Sequence, residues 1–203
     1  MESKPFVITI VGPESSGKTT LARQLAAEIG CPWVPEYARE YLEGRGGYYD
    51  ERDLLEIAEE QLSVISNQLS VISNQSAVGS QQSTIGSQQP AVSSRKVLSE
   101  VLQRNMEKNN ALAFYREDFG HDPRPVVIID SGMMGMRVWA KLKYKMAIPL
   151  VDEALNEDIT SMYILCRPVL PWEADPLREA SSLLDRSWIY NHYLQEVFSN
   201  PAK

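Results

Sequence analysis

The stretch "VGPESSGKTT" (Val11 to Thr20) sets two glycines, a lysine and a threonine in the order G-x-x-x-x-G-K-[ST]. That spacing suits one chemistry. Glycines let the backbone wrap an anionic group closely, main-chain N–H groups point at its oxygens, the lysine adds a positive charge, and the hydroxyl serves a hard divalent cation. The expected ligand is the phosphate tail of a nucleotide such as ATP. Gly12, Pro13, Glu14, Ser15, Ser16, Gly17, Lys18, Thr19 and Thr20 are all expected to line it, with Lys18 reaching the β- and γ-phosphates and Thr19 ligating Mg²⁺. Asp130, at the end of the apolar run "PVVIID", is the expected second carboxylate at the metal; the alternative is that it caps the following segment.

Such a loop works only between a strand and a helix, and the neighbouring sequence supplies both. "FVITIV" (Phe6 to Val11) is a short β-rich apolar run, and Leu21, Leu25 and Ile29 recur at every fourth position until Gly30 stops the helix. "PWVPEYAREYLEGRGG" reads as a short strand, a turn into a helix and a glycine-rich exit. "ERDLLEIAEEQ" and "KVLSEVLQRNMEKNNALAF" have helical spacing, while "PVVIID" and "SMYILC" (Ser161 to Cys166) read as buried strands. Strands alternating with helices predict an α/β protein with a parallel sheet covered on both faces.

A chain of 203 residues with 43% hydrophobic content supports one domain. Inside it, residues 61–95 repeat with a period of seven, beginning with two copies of "QLSVISN" and carrying no charge from Gln61 to Ser94. Leu62, Ile65, Leu69 and Ile72 hold coiled-coil spacing, but Ser76, Gly79, Ser83, Gly86 and Pro90 then occupy the seam, so a coiled coil fails. The segment reads as a mobile polar insertion, with an extension of the preceding helix as its competitor.

The balance of 20 basic and 27 acidic residues leaves a net charge of -7, with no basic run of the kind that nucleic acid or anionic lipid requires. Cys31 and Cys166 read as small apolar core residues, and His121 and His192 stand too far apart for a zinc site. No charged leader with a long apolar stretch opens the chain, so the expected compartment is the cytoplasm.

Beyond the generic loop, the wording "GPESSGKTT" resembles the ribosylnicotinamide kinase domain of NadR-like proteins, a P-loop NTPase family with a three-layer sandwich fold. "PEYAREYL" (Pro35 to Leu42), "IIDS" (Ile128 to Ser131) and "LPWEADPLREASSLLDR" (Leu170 to Arg186) agree in order and kind, so the resemblance covers nearly the whole chain outside the repeats. It implies Mg²⁺- and ATP-dependent phosphorylation of the 5′-hydroxyl of nicotinamide riboside. That acceptor carries a fixed positive charge on an aromatic ring, and it calls for carboxylates and π-faces. Glu36, Tyr37 and Arg39 are the implied contacts in the second stretch, although Arg39 could equally pair with a neighbouring glutamate. In the last stretch, the implied lid over ATP carries Arg178 and Arg186, about two turns apart if helical, to stabilise the transferring phosphoryl group. Trp172 and Asp175 are implied at the acceptor, the alternative for Trp172 being an anchor between loop and core. The proton acceptor stays open between Asp130 and Glu36.

The sequence departs from the family in two places. "DSGMMGM" puts Gly132 where the family has a side chain, and its two glycines are expected to loosen the start of a helix. After "YLQEVFSNPAK" the family's last strand and helix are missing, so the resemblance implies four strands, in order 2-3-1-4, and an open sheet edge available to another chain. Two other readings follow: a kinase for another nucleoside or small alcohol, and a catalytically impaired nucleotide-binding or regulatory protein.

Overall fold

The computed structural model describes residues 4–46, 48–79, 103–108, 111–115, 124–157, 159–175, 178 and 180–199. The elements in chain order are β1 (Phe6–Val11), α1 (Lys18–Ile29), β2 (Trp33–Val34), α2 (Tyr37–Gly44), α3 (Glu51–Gly79), β3 (Ala111–Tyr115) and β4 (Val126–Asp130). They continue as α4 (Gly132–Trp139), a π-helical turn (Ala140–Tyr144), α5 (Pro149–Asn156), β5 (Thr160–Cys166) and α6 (Leu183–Ser199).

Every residue of β1 and β5 is buried, as expected of strands covered on both faces. The two-residue period of a strand still sorts these continuous apolar runs onto opposite sides. Phe6, Ile8, Ile10, Ile128, Met162 and Ile164 pack with the Leu21, Leu25 and Ile29 stripe of α1. Val7, Val11, Val127, Ile129 and Leu165 face the larger layer, built from α2 to α6. The result is a three-layer α/β sandwich.

The sheet order is β2-β4-β1-β5-β3. Its four parallel strands keep the expected 2-3-1-4 order, with Ile10 beside Asp130 and beside Ile164. The fifth strand corrects two expectations. Residues 96–114 do not form one helix: 103–108 are helical, and Ala111–Tyr115 pair antiparallel with β5, Ala113 opposite Ile164. The edge of β5 is therefore occupied from within the chain. A strand edge offers a row of unpaired N–H and C=O groups, and satisfying them outweighs the helical preference of a short Ala-Leu segment that follows two asparagines.

α3 decides between the two readings of the first repeats. It runs from the acidic stretch through both "QLSVISN" copies to Gly79, with Leu54, Ile57, Ile65 and Ile72 all buried. Apolar positions spaced for a helix and facing a core make this segment an extension of the preceding helix rather than a mobile insertion. Residues 80–102 and His121 lie outside the described residues. No helix among the described residues is long and apolar enough to cross a membrane.

The two glycines after β4 also behave differently from expectation. α4 forms, and Gly132 and Gly135 are buried at its start. Ser131 and Gly132 both have positive φ, 63° and 53°, so the chain leaves β4 through a left-handed turn that favours glycine. A Cβ on Gly135 would stand 3.0 Å from the Ser131 Cβ, so its missing side chain allows close packing instead of loosening the helix.

Candidate functional site

The loop between β1 and α1 opens at the carboxyl ends of the parallel strands, beside the crevice between β1 and β4, where open α/β sheets bind ligands. Gly17 caps α1 in the left-handed region (φ 84°), aiming the first free N–H groups of the helix into the loop. Gly12 has φ 144°, and a Cβ there would stand 2.7 Å from the carbonyl oxygen of Cys166. The cradle therefore rests directly on the end of β5. Lys18 donates from Nζ to the Pro13 carbonyl at 2.9 Å, folding its charge back over the loop. Ser16 Oγ is buried and has no hydrogen-bond partner among the described residues.

Asp130 ends β4 at 1% exposure, with Ser131 Oγ 3.4 Å from its Oδ1. Its Oδ2 has no partner among the described residues. Burial pushes its carboxyl above the usual range, while Lys18, a hydrogen bond from Thr19 and one from Ser131 pull the other way. Among the described residues no group of three or more His, Cys, Asp or Glu could hold a metal ion. The pairing of a threonine hydroxyl with an orphaned carboxylate oxygen still fits Mg²⁺, which takes few protein oxygens and fills its shell with water and phosphate.

Glu36, just before α2, lines the same cavity of about 630 Å³ as the loop residues Gly12 to Thr20. Burial raises its carboxyl, Asp130 raises it further, and Lys18, Ser131 and Arg39 oppose the rise. Both carboxyls are thus held above their unfolded values, near 4 for ordinary Asp and Glu. Their contribution to stability is therefore complete below that ordinary value and is lost as pH rises through the raised folded values. Glu36→Gln and Asp130→Asn are expected to flatten the fall in melting temperature between acid and neutral pH, and to melt no lower than the parent at pH 7. A parallel profile in both variants would overturn this.

Arg39 and Arg178 also line the cavity. Arg39 Nη2 donates to Asp175 Oδ2 at 2.7 Å and Nη1 to Glu43 at 3.2 Å, so it pairs with both a neighbouring glutamate and the distant loop. Tyr37, Trp172, Asp175, Asp130 and Arg186 are not among the cavity's lining residues. Tyr37 sits against the larger core layer beside Tyr41, their ring centroids 6.2 Å apart, and its N–H donates to Gln61 of α3. Trp172 is half-buried, and its indole N–H has no partner among the described residues. Arg186 is 4% exposed and donates to the Leu170 carbonyl at 2.9 Å, bracing the loop that follows β5. Arg178 lies in that loop while Arg186 lies in α6, whose start is capped by Ser182 Oγ accepting from the Asp185 N–H at 3.0 Å. The two arginines therefore do not share a helical face.

Sequence reasoning missed three aromatic residues that line the cavity, Tyr49, Trp139 and Trp188. Trp139 donates to the Tyr49 hydroxyl at 2.9 Å, and their rings meet edge-on at 4.8 Å. Tyr193 lines it too, with burial first and the charges of Glu36, Asp130 and Glu14 next in pushing its phenol well up. Tyr193 carried a signal, since Arg186, Ile189 and Tyr193 follow one face of a helix. Tyr49, at the entry to α3, carried none.

A sheet of this order, with this loop between β1 and α1, defines a P-loop nucleotide-binding protein. A family model described as an AAA domain matches residues 7–200, and the chain belongs to that family. It is similar to a crystal structure of NadR protein in complex with NR, at TM-score 0.57 and 21% identity over 97% of this chain and 42% of that one. A second NadR structure, in complex with NAD and AMP-PNP, gives 0.59 and 20% over 97% and 41%. The chain thus spans about two fifths of the NadR chains. No curated protein matches it.

Proposed function

We propose that the chain is an ATP- and Mg²⁺-dependent kinase that phosphorylates the 5′-hydroxyl of nicotinamide riboside to give nicotinamide mononucleotide. One observation carries this reading: the residues of the phosphate cradle, Glu36 and the aromatic side chains Tyr49, Trp139 and Trp188 line a single cavity. A polyanion fits the cradle, and a flat, positively charged ring attached to a sugar fits aromatic faces and a carboxylate. The NR and AMP-PNP bound in the NadR structures support the same pairing. In this reading, Lys18 and the loop N–H groups hold the phosphates, and Thr19 and Asp130 hold Mg²⁺, which would neutralise charge on the phosphoryl group. Arg178 meets that group from the loop after β5, while Glu36 or Asp130 takes the hydroxyl proton. Phosphoryl transfer depends chiefly on position and charge, so neither carboxylate need be strongly basic.

A second reading, a neutral nucleoside or small alcohol as acceptor, is favoured by Lys143. Its Nζ lies 3.9 Å from the centroid of the Tyr49 ring, and a cation there repels a cationic acceptor. The deciding experiment compares kcat/KM for nicotinamide riboside and for uncharged nucleosides at fixed Mg·ATP. The first reading expects nicotinamide riboside to lead by about tenfold or more, a modest cation–π advantage. A lead for an uncharged nucleoside selects the second, and nucleotide binding without turnover on any acceptor removes both.

A further inference from the structure

A loop built to grip polyphosphate has an electrostatic reason to avoid a carboxylate, yet its third residue is Glu14. The side chain is otherwise engaged. Glu14 Oε2 accepts a hydrogen bond from the Ala180 N–H at 2.9 Å, joining residues 166 apart in the chain. Beside it, Ser15, held at φ 51°, accepts from Arg178 Nη1 at 3.0 Å, and its Oγ lies 3.4 Å from the Glu173 nitrogen. Arg178 donates in addition to the Glu173 carbonyl at 2.9 Å. Its Nε lies 3.6 Å from the Asp175 carboxylate, the same oxygen that Arg39 reaches from α2. Among the described residues, the loop after β5 is therefore fastened to the cradle at Glu14 and Ser15, to α2 at Arg39 and to α6 at Arg186.

We propose that Glu14 is a positioning residue: its carboxylate pins the loop to the cradle through the Ala180 N–H and so sets where the Arg178 guanidinium stands. The anchor lies two residues beyond Arg178, close enough to fix the reach of that side chain. Arg178 then waits on the Ser15 hydroxyl at the rim of the phosphate site, within the same cavity as Lys18. The negative charge of Glu14 opposes phosphate binding while its hydrogen bond keeps an arginine at hand. Removing the side chain should thus separate two properties that a merely structural residue would lose together. The consequence for turnover rests on the kinase reading; the fastening itself does not.

The test is amide hydrogen exchange on the nucleotide-free protein, read at Ala180 and at Arg178, whose own N–H donates to the Asp175 carbonyl at 3.0 Å. Glu14→Ala is expected to speed exchange at both amides by about tenfold, as for the loss of one hydrogen bond to a charged group, while Glu14→Gln keeps an acceptor oxygen and stays within about threefold of the parent. AMP-PNP with Mg²⁺ should bind Glu14→Ala at least as tightly as the parent, and turnover should fall by about 10- to 100-fold without a rise in KM for ATP. Unchanged exchange in Glu14→Ala, equal acceleration in Glu14→Gln, or weaker AMP-PNP binding would each overturn the assignment. Should Glu14→Ala fail to fold, Ala180→Pro removes the donor instead, and faster exchange at Arg178 is again expected, with unchanged exchange overturning it. If no acceptor is ever phosphorylated, the kinase reading fails while the exchange and binding measurements still decide the role of Glu14.

Discussion

Lys18→Ala is expected to lower turnover by about 10²- to 10³-fold, the cost of removing one preorganised charged donor from a transition state that develops negative charge. The ammonium sits 2.9 Å from the Pro13 carbonyl, a neutral partner it can exchange for a phosphate oxygen. A charge-assisted bond to phosphate is roughly twice as strong as a neutral one, which favours that exchange. The same ammonium is the main charge opposing the raised pKa of both Glu36 and Asp130. Its loss should drive both carboxyls further toward the protonated form, so the fall in stability with rising pH should steepen. Calorimetry with Mg·ATP and kcat at saturation check the first effect, and melting curves from acid to neutral pH check the second. A variant that keeps more than about a tenth of parental turnover would show that the loop amides suffice without the lysine.

Gly12→Ala should be the most damaging small substitution in the cradle. At φ 144° a side chain is strained wherever it points, and here the added carbon would meet the Cys166 carbonyl at 2.7 Å and the Ser16 Oγ at 3.1 Å. The first of those contacts is the main-chain carbonyl of Cys166, the last residue of β5, which is held in the sheet opposite Ala111 of β3 and cannot simply turn aside. Loop or strand must shift, so we expect a stability loss of about 1–3 kcal/mol together with loss of detectable nucleotide binding. Gly44→Ala is the matched control. It closes α2, has nothing within 4 Å of its added carbon, and should leave stability unchanged or raise it by about 0.5–1 kcal/mol. Chemical denaturation and nucleotide titration of the two variants measure the contrast, and equal behaviour would mean that the loop does not lie against β5.

If both predictions hold, the cradle works by rigid backbone support on one side and by positioned charge on the other. Gly12 rests on the end of β5, Gly17 on the first turn of α1, and the loop carrying Arg178 closes over the other side through Glu14, Ser15 and Arg186. Glu36 feels the charges of both Lys18 and Asp130, although the three are far apart in the chain.

The amino-acid sequence alone determined the strand–loop–helix cradle and the buried strands, while the strand order was implied by the family resemblance. Cradle and strands follow from interactions among residues close in the chain: apolar runs, a glycine–lysine spacing, a helix stopped by Gly30. The end of an apolar run pointed to Asp130, and the resemblance to NadR-like kinases pointed to Glu36 and Arg178; of these, Glu36 and Arg178 line the cavity. The tertiary structure alone decided the rest. β3 is a strand because β5 had an unsatisfied edge, and α3 continues through the repeats because Ile65 and Ile72 found a core to enter. Tyr49 meets Trp139, and Trp188 joins them in lining one cavity, only after three separate segments converge, and Glu14 meets Ala180 across most of the chain. Local pattern records what a segment prefers; which distant surface it will satisfy is settled only when the whole chain is packed.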